Sequence, residues 1–178
     1  MLNRFGKYIL YRRFGPVLPS ISRPLIYMKT LSEAGVRFPI LVLHSDWVSF
    51  YSDEAMFSRG AVRGRARIGE RLTAQEGLRF VDQGGNVFVV SRATVIEDMG
   101  LLFDNSVFRL FAWFGGASTV VSTKLHVEYC ETVDVEQLRS SVLPALENSV
   151  RVQGEELEGD LSRAKSARTI PELIAAAE

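Results

Sequence analysis

The stretch Leu78 to Glu97, L-R-F-V-D-Q-G-G-N-V-F-V-V-S-R-A-T-V-I-E, constrains the fold of this chain more than any other. Two runs rich in β-branched and aromatic residues, which pack well on a pleated surface, flank Asp82-Gln83-Gly84-Gly85-Asn86. Glycine enters positive φ at little cost, and Asn and Asp tolerate it better than most residues. The pattern predicts a β-hairpin. Its second arm divides in two. Val87 to Val90 is apolar on both faces, as an interior strand is. From Ser91 the chain alternates, with Arg92, Thr94 and Ile96 opposite Ala93 and Val95, so one face of that half meets water.

The flanking segments add strands and helices around this hairpin. Lys7 to Phe14 is a predicted first strand, ended by Gly15-Pro16. Ser22-Arg23-Pro24 combines an N-cap residue with a first-turn proline, and predicts a helix running through Leu31 to a stop at Gly35. Pro39 to His44 is a short apolar strand. Trp47 to Tyr51 returns as a second strand, with a helix from near Ser52 as the competing reading. Val62 to Ile68 alternates as a strand does. Val107 to Phe114 is a buried strand or a short core helix, and Gly115-Gly116 ends it. Thr119 to Val133 is a long strand.

Asp134 to Asn148 carries the strongest helix signal. Asp134 and Gln137 have capping-box spacing, and Val135, Leu138, Val142, Ala145 and Leu146 line one side. Pro144 is expected to kink its last turn. Thr169-Ile170-Pro171-Glu172 repeats the capping signal before Leu173 to Ala177. The expected fold is α+β: a mainly antiparallel sheet of five to seven strands built on the central hairpin, with two or three helices packed on one face. Strands that follow one another as hairpins, rather than alternating with helices, argue against a parallel doubly wound sheet. Residues 1–150 form the expected domain. Residues 151–178 form a polar, acidic tail with a short terminal helix, docked weakly or against another copy of the chain.

At 178 residues the chain is long enough to bury a core without a disulfide or metal staple. Its single cysteine, Cys130, excludes an internal disulfide and fits a reducing, cytoplasmic setting. The apolar run 107–121 is shorter than a membrane-spanning helix and holds Arg109, so the expectation is a soluble protein. The first 32 residues contain no acid but six Lys and Arg, a composition like that of a transit peptide; Pro16 and Pro19 interrupt the amphipathic helix such a peptide needs. The net charge of zero conceals an asymmetry. Residues 1–75 hold 12 Lys and Arg against 5 Asp and Glu, and residues 76–178 hold 9 against 16. Such halves either pair within the fold or leave a basic face for an anionic partner.

Three constellations bear chemistry. His126, Glu128 and Cys130 fall on one face of a period-2 strand, and imidazole, carboxylate and thiolate all bind zinc or iron. His44 and Asp46, at the end of another strand, complete a candidate metal set of His44, Asp46, His126 and Glu128; an ordinary polar strand face is the competing reading. Arg63, Arg65 and Arg67 form a cationic ladder if 62–68 is a strand, suited to phosphate, nucleic acid or an acidic protein. No aromatic residues interleave to stack bases, and a solvated edge strand explains the same pattern. Phe103, Phe108, Phe111, Trp113 and Phe114 cluster as core, pocket wall or interface. Cys130 and His126 stand too far apart along one strand for proton transfer, and no nucleophile elbow, dinucleotide loop or phosphate loop occurs. The preferred expectation is a non-enzymatic protein-binding domain with a charge-segregated surface. The alternatives are an anion or nucleic-acid binder through the three arginines, and a metal-dependent enzyme. The sequence leaves the cofactor unknown.

Overall fold

A computed structural model, which describes residues 28–44, 47–63, 67–101, 118–153 and 158–177, places the central hairpin between β5 (Arg79–Val81) and β6 (Asn86–Leu101). The two arms pair antiparallel, with Phe80 opposite Phe88. Asp82 holds the reversal together. Fully buried, its carboxylate accepts from the amides of Gly84 at 2.8 Å and Asn86 at 2.9 Å, from Asn86 Nδ2 at 3.2 Å and from the Arg37 amide at 3.3 Å. Gly85 turns the chain at φ +79°.

β7 (Ser118–Thr132) runs antiparallel to almost the whole of β6, from Asn86 opposite Thr132 to Leu101 opposite Thr119. Four register shifts interrupt this long ladder. Extra residues of this kind bend a strand and increase its twist. The remaining strands are β1 (Lys29–Thr30), β2 (Ile40–Leu43), β3 (Val48–Tyr51) and β4 (Arg59–Arg63). All seven join one antiparallel sheet in the order β1-β7-β6-β5-β2-β3, with β4 also on β7. Since β6 occupies one edge of β7, β1 and β4 share the other, β4 at residues 118–122 and β1 at 126–127.

Alternation gives the sheet two apolar faces. On one, Ile40, Val42, Phe80, Phe88, Val95 and Leu125 form a core with Phe57 and Leu72. Aromatic rings cross this face in a chain, Tyr51–Phe57–Phe80–Phe88–Tyr129, with centroids 5.0–5.9 Å apart, the spacing at which ring pairs attract. A buried polar link crosses the same side: Gln75 Nε2 donates to the Arg59 carbonyl at 3.1 Å, and Thr123 Oγ1 lies 2.8 Å from Gln75 Oε1 and 2.6 Å from the Ser58 carbonyl. On the other face, Leu41, Val81 and Val87 meet the helices α2 (Val135–Gln153), α3 (Glu158–Ser166) and α4 (Ile170–Ala175). The short α1 (Glu54–Phe57) packs Phe57 into the first core.

The helix starts follow the capping logic of the sequence. Asp134 Oδ1 accepts from the Gln137 amide at 2.8 Å, while Gln137 Oε1 accepts from the Asp134 amide at 2.9 Å. Thr169 caps α4 by accepting from the Glu172 amide, and Glu172 Oε2 accepts from the Arg168 amide at 2.7 Å. Within 158–177, Ala164, Ala167, Leu173, Ile174 and Ala176 are buried in the second core.

Several expectations change. Helix α2 runs to Gln153, so Pro144 sits inside it rather than in its last turn. The helix expected through Leu31 is absent over 28–35: Lys29 and Thr30 pair with β7, and 31–35 is a turn in which Gly35 takes φ +71°. A backbone edge on β7 competes for these residues and outweighs local helix propensity. Both readings after Trp47 hold, as β3 followed by α1. The strand expected at 7–14, the apolar run 107–114 and its aromatic cluster lie outside the described residues.

Candidate functional site

Among the described residues, the helices cover the sheet over β2, β3, β5 and the first residues of β6. Farther along, the same side of the β6–β7 ladder continues without an apolar partner among the described residues. Arg92 stands opposite His126 and Thr94 opposite Lys124, alternating with the buried pair Ala93 and Leu125. On the outer edge Thr30 of β1 pairs with His126. A face with an even β period, polar out and apolar in, thereby gathers Arg92, Lys124 and His126 into one cationic group.

Two nitrogens in that group lack partners. Arg92 Nε and His126 Nδ1 are buried and make no hydrogen bond among the described residues. The His126 imidazole is held below its ordinary value of 6.5, first by burial and then by the charges of Lys124 and Arg92; Glu33 pulls the other way. Glu33 itself accepts from the Thr30 amide at 2.8 Å, which with the Thr30 hydroxyl lowers its carboxyl. His126 is therefore an imidazole kept neutral by burial and two neighbouring cations, beside a carboxylate already committed to the backbone.

The sequence-derived metal set is dispersed. Leu43 pairs with Arg79, Arg79 with Val89 and Val89 with Glu128. Three strand spacings, roughly 14 Å, thus separate the end of β2 from the His126–Glu128 stretch. The His44 ring stacks on Trp47 with centroids 3.6 Å apart, and its Nε2 lies 3.5 Å from Ser49 Oγ. Asp46 lies outside the described residues, and no group of three or more His, Cys, Asp and Glu among the described residues is placed to hold a metal. Cys130 is exposed and is the extra residue of a bulge, because Phe88 pairs with Tyr129 and Val87 with Glu131. The bulge interrupts the even spacing on which the His126-Glu128-Cys130 row depends.

The arginine ladder is likewise not one strand. β4 ends at Arg63, Arg65 lies outside the described residues, and Arg67 belongs to a turn whose Glu70 amide donates to the Arg67 carbonyl at 2.9 Å. Among the described residues the ion pairs Arg71–Glu76, Arg79–Glu131, Arg139–Glu136, Arg163–Asp160 and Lys165–Glu147 include neither Arg59 nor Arg67.

A third feature lies at the far end of β6. Ile68 is 77% exposed, Ile96 50% and Met99 48%. Gly69 N donates to the Val95 carbonyl at 2.8 Å, which brings the neighbours of that pair, Ile68 and Ile96, alongside each other. Ile96 is the extra residue between the pairs Val95–Thr123 and Glu97–Ser122. Alternation from buried Val95 already turns Ile96 outward; what periodicity does not show is that the Gly69 segment lies beside it. Among the described residues no helix is long and apolar enough to cross a membrane. Comparison with protein-family models, with curated proteins and with solved structures finds no match.

Proposed function

We propose that the protein is a non-enzymatic domain that binds another protein, and that the distal end of β6 is its contact surface. One observation carries this reading: two large apolar side chains, Ile68 and Ile96, stand exposed on adjoining segments, and Met99, three residues farther along β6, is exposed as well. Scattered exposed hydrophobics are ordinary, but a contiguous group rimmed by polar residues is the usual mark of an interaction surface. The exposed residues Arg67, Glu70, Glu97 and Asp98 supply that rim. Arg59 and Arg67, with Arg63 and Arg65 between them in the sequence, add a field that steers an acidic partner toward the patch.

The test compares wild type with Ile68→Asp/Ile96→Asp as baits in lysate from the source cells. Both positions are exposed, so the thermal midpoint should stay within about 2 °C of wild type. A protein recovered stoichiometrically by wild type and lost with the double variant supports the reading. Recovery of nothing beyond the bait, or equal recovery by both, refutes it. The Arg63→Gln/Arg65→Gln/Arg67→Gln variant should slow association with that partner and flatten its salt dependence.

A further inference from the structure

We infer that the Arg92, Lys124 and His126 group, on the face of β6–β7 opposite the first core, is a binding site for a phosphate-type oxyanion, either inorganic phosphate or a phosphate monoester. The inference is independent of the apolar patch, which lies elsewhere on β6 and uses none of these side chains.

The geometry supplies the donors. Arg92 and His126 are directly opposed in the ladder, and Lys124 is one diagonal step away, opposite Thr94. Side chains so placed spring from points about 5 to 8 Å apart. That span matches three donors converging on one tetrahedral anion. Arg92 Nε and His126 Nδ1 are both buried and both without an acceptor among the described residues. A buried polar nitrogen without a partner is costly, and two on opposed residues of one ladder rung are unusual in a folded chain. A single oxyanion satisfies both, with Lys124 adding charge.

Electrostatics argues in the same direction. Each element around His126 contributes a charged or polar group: Arg92 from β6, Lys124 and Glu128 from β7, and Thr30 with Glu33 from the β1 edge. Glu33 is the anion acting on His126 and Lys124, and one of its oxygens, Oε2, accepts from the Thr30 amide. Burial and the two cations outweigh it, since the imidazole is held toward its neutral form. Binding a phosphate dianion reverses that balance. It favours the imidazolium, so the bound anion raises the titration midpoint of His126.

The experiment titrates inorganic phosphate, and separately O-phosphoserine, into the full chain at constant ionic strength set with chloride. The His126 ring protons are followed by NMR beside the thermal midpoint. Saturable shifts of the His126 resonances, an upward move of its titration midpoint and a rise in thermal midpoint are expected. The tighter of the two probes identifies whether free phosphate or a monoester is the ligand. Arg92→Gln should weaken binding by about tenfold or more, the loss of a charge-assisted hydrogen bond. Lys124→Gln, at an exposed position that leaves the fold intact, should weaken it several-fold. Absence of saturable shifts with both probes overturns the inference, as does an affinity unchanged in Lys124→Gln and Arg92→Gln.

Discussion

Replacing Gly85 with alanine isolates the step on which the whole arrangement depends. Gly85 takes φ +79°, and a Cβ there would stand 2.6 Å from the Val133 carbonyl oxygen and 2.6 Å from Ile170 Cδ1. The hairpin turn thereby touches both the end of β7 and the start of α4. Gly77 is the natural control, with φ +81° and nothing within 4 Å of the place its methyl would take. Gly77→Ala should cost only the left-handed backbone term, about 1–2 kcal/mol. Gly85→Ala adds an overpacking cost of about 1–3 kcal/mol. At roughly 2–4 °C per kcal/mol for a chain of this size, Gly85→Ala should melt about 2–12 °C below Gly77→Ala. Ile170 can move, but the Val133 carbonyl cannot, because the Val133 amide donates to the Gly85 carbonyl at 2.8 Å. Adding Ile170→Ala to Gly85→Ala should therefore restore only part of the loss. Thermal and urea unfolding followed by circular dichroism measure wild type and the three variants. Equal losses at the two glycines would refute the claim that this turn is a packing junction rather than a mere reversal.

Asp82→Ala leaves the Gly84, Asn86 and Arg37 amides without their shared acceptor in a buried turn and should cost about 2–4 kcal/mol in urea unfolding. Phe80→Ala removes a fully buried ring from the middle of the aromatic chain and should cost about 3–5 kcal/mol by the same measurement. Asp134→Ala removes one half of the reciprocal cap of α2 and should cost about 1 kcal/mol, with amide exchange fastest in the first turn of that helix. His126 has a lowered pKa in the fold, so the unfolded chain binds more protons between the folded value and the ordinary 6.5. Its contribution is fully present above 6.5 and is lost as the pH falls through the folded value; urea midpoints followed from neutral into acid should drop less steeply for His126→Gln than for wild type.

What the sequence made legible is what one residue or one period can encode. The Asp82–Asn86 reversal, the reciprocal Asp134–Gln137 cap and the Thr169–Glu172 cap each satisfy backbone groups within four positions, and all three form as expected. The long alternation from Thr119 likewise becomes β7, because buried Val121, Thr123, Leu125 and Val127 need only a period of two to share a face. Lys29 and Thr30 defeat local reasoning because their partner lies roughly a hundred residues away. What makes them a strand is the free edge of β7 at His126 and Val127, and no local propensity carries that information.

The candidate sites fail or succeed on the same distinction. The His126-Glu128-Cys130 row needs an unbroken period, and a bulge at Cys130 breaks it; the link to His44 needs neighbouring strands, and β5 and β6 intervene. His126 does acquire a chemical setting, but its neighbours are Arg92 and Lys124, chosen by ladder register rather than by spacing along the chain. Register across β6 and β7 is itself set by four shifts, each an extra residue whose position depends on how two long strands twist over a common core. At the shift between Val90 and Arg92, an unbroken ladder would put Ser91 opposite His126 and turn Arg92 toward the core. Two single-residue deletions separate register from the bulge itself. Deleting Ser91 or deleting Arg92 leaves the same regular ladder, with Val90 and Ala93 still turned to the core. The two chains differ in the residue left opposite His126, an arginine in the first and a serine in the second. Phosphate affinity, read from the His126 resonances, should survive deletion of Ser91 and fall about tenfold or more on deletion of Arg92. Loss in both chains would show that the bulge, and not the guanidinium that register sets beside the imidazole, shapes this face.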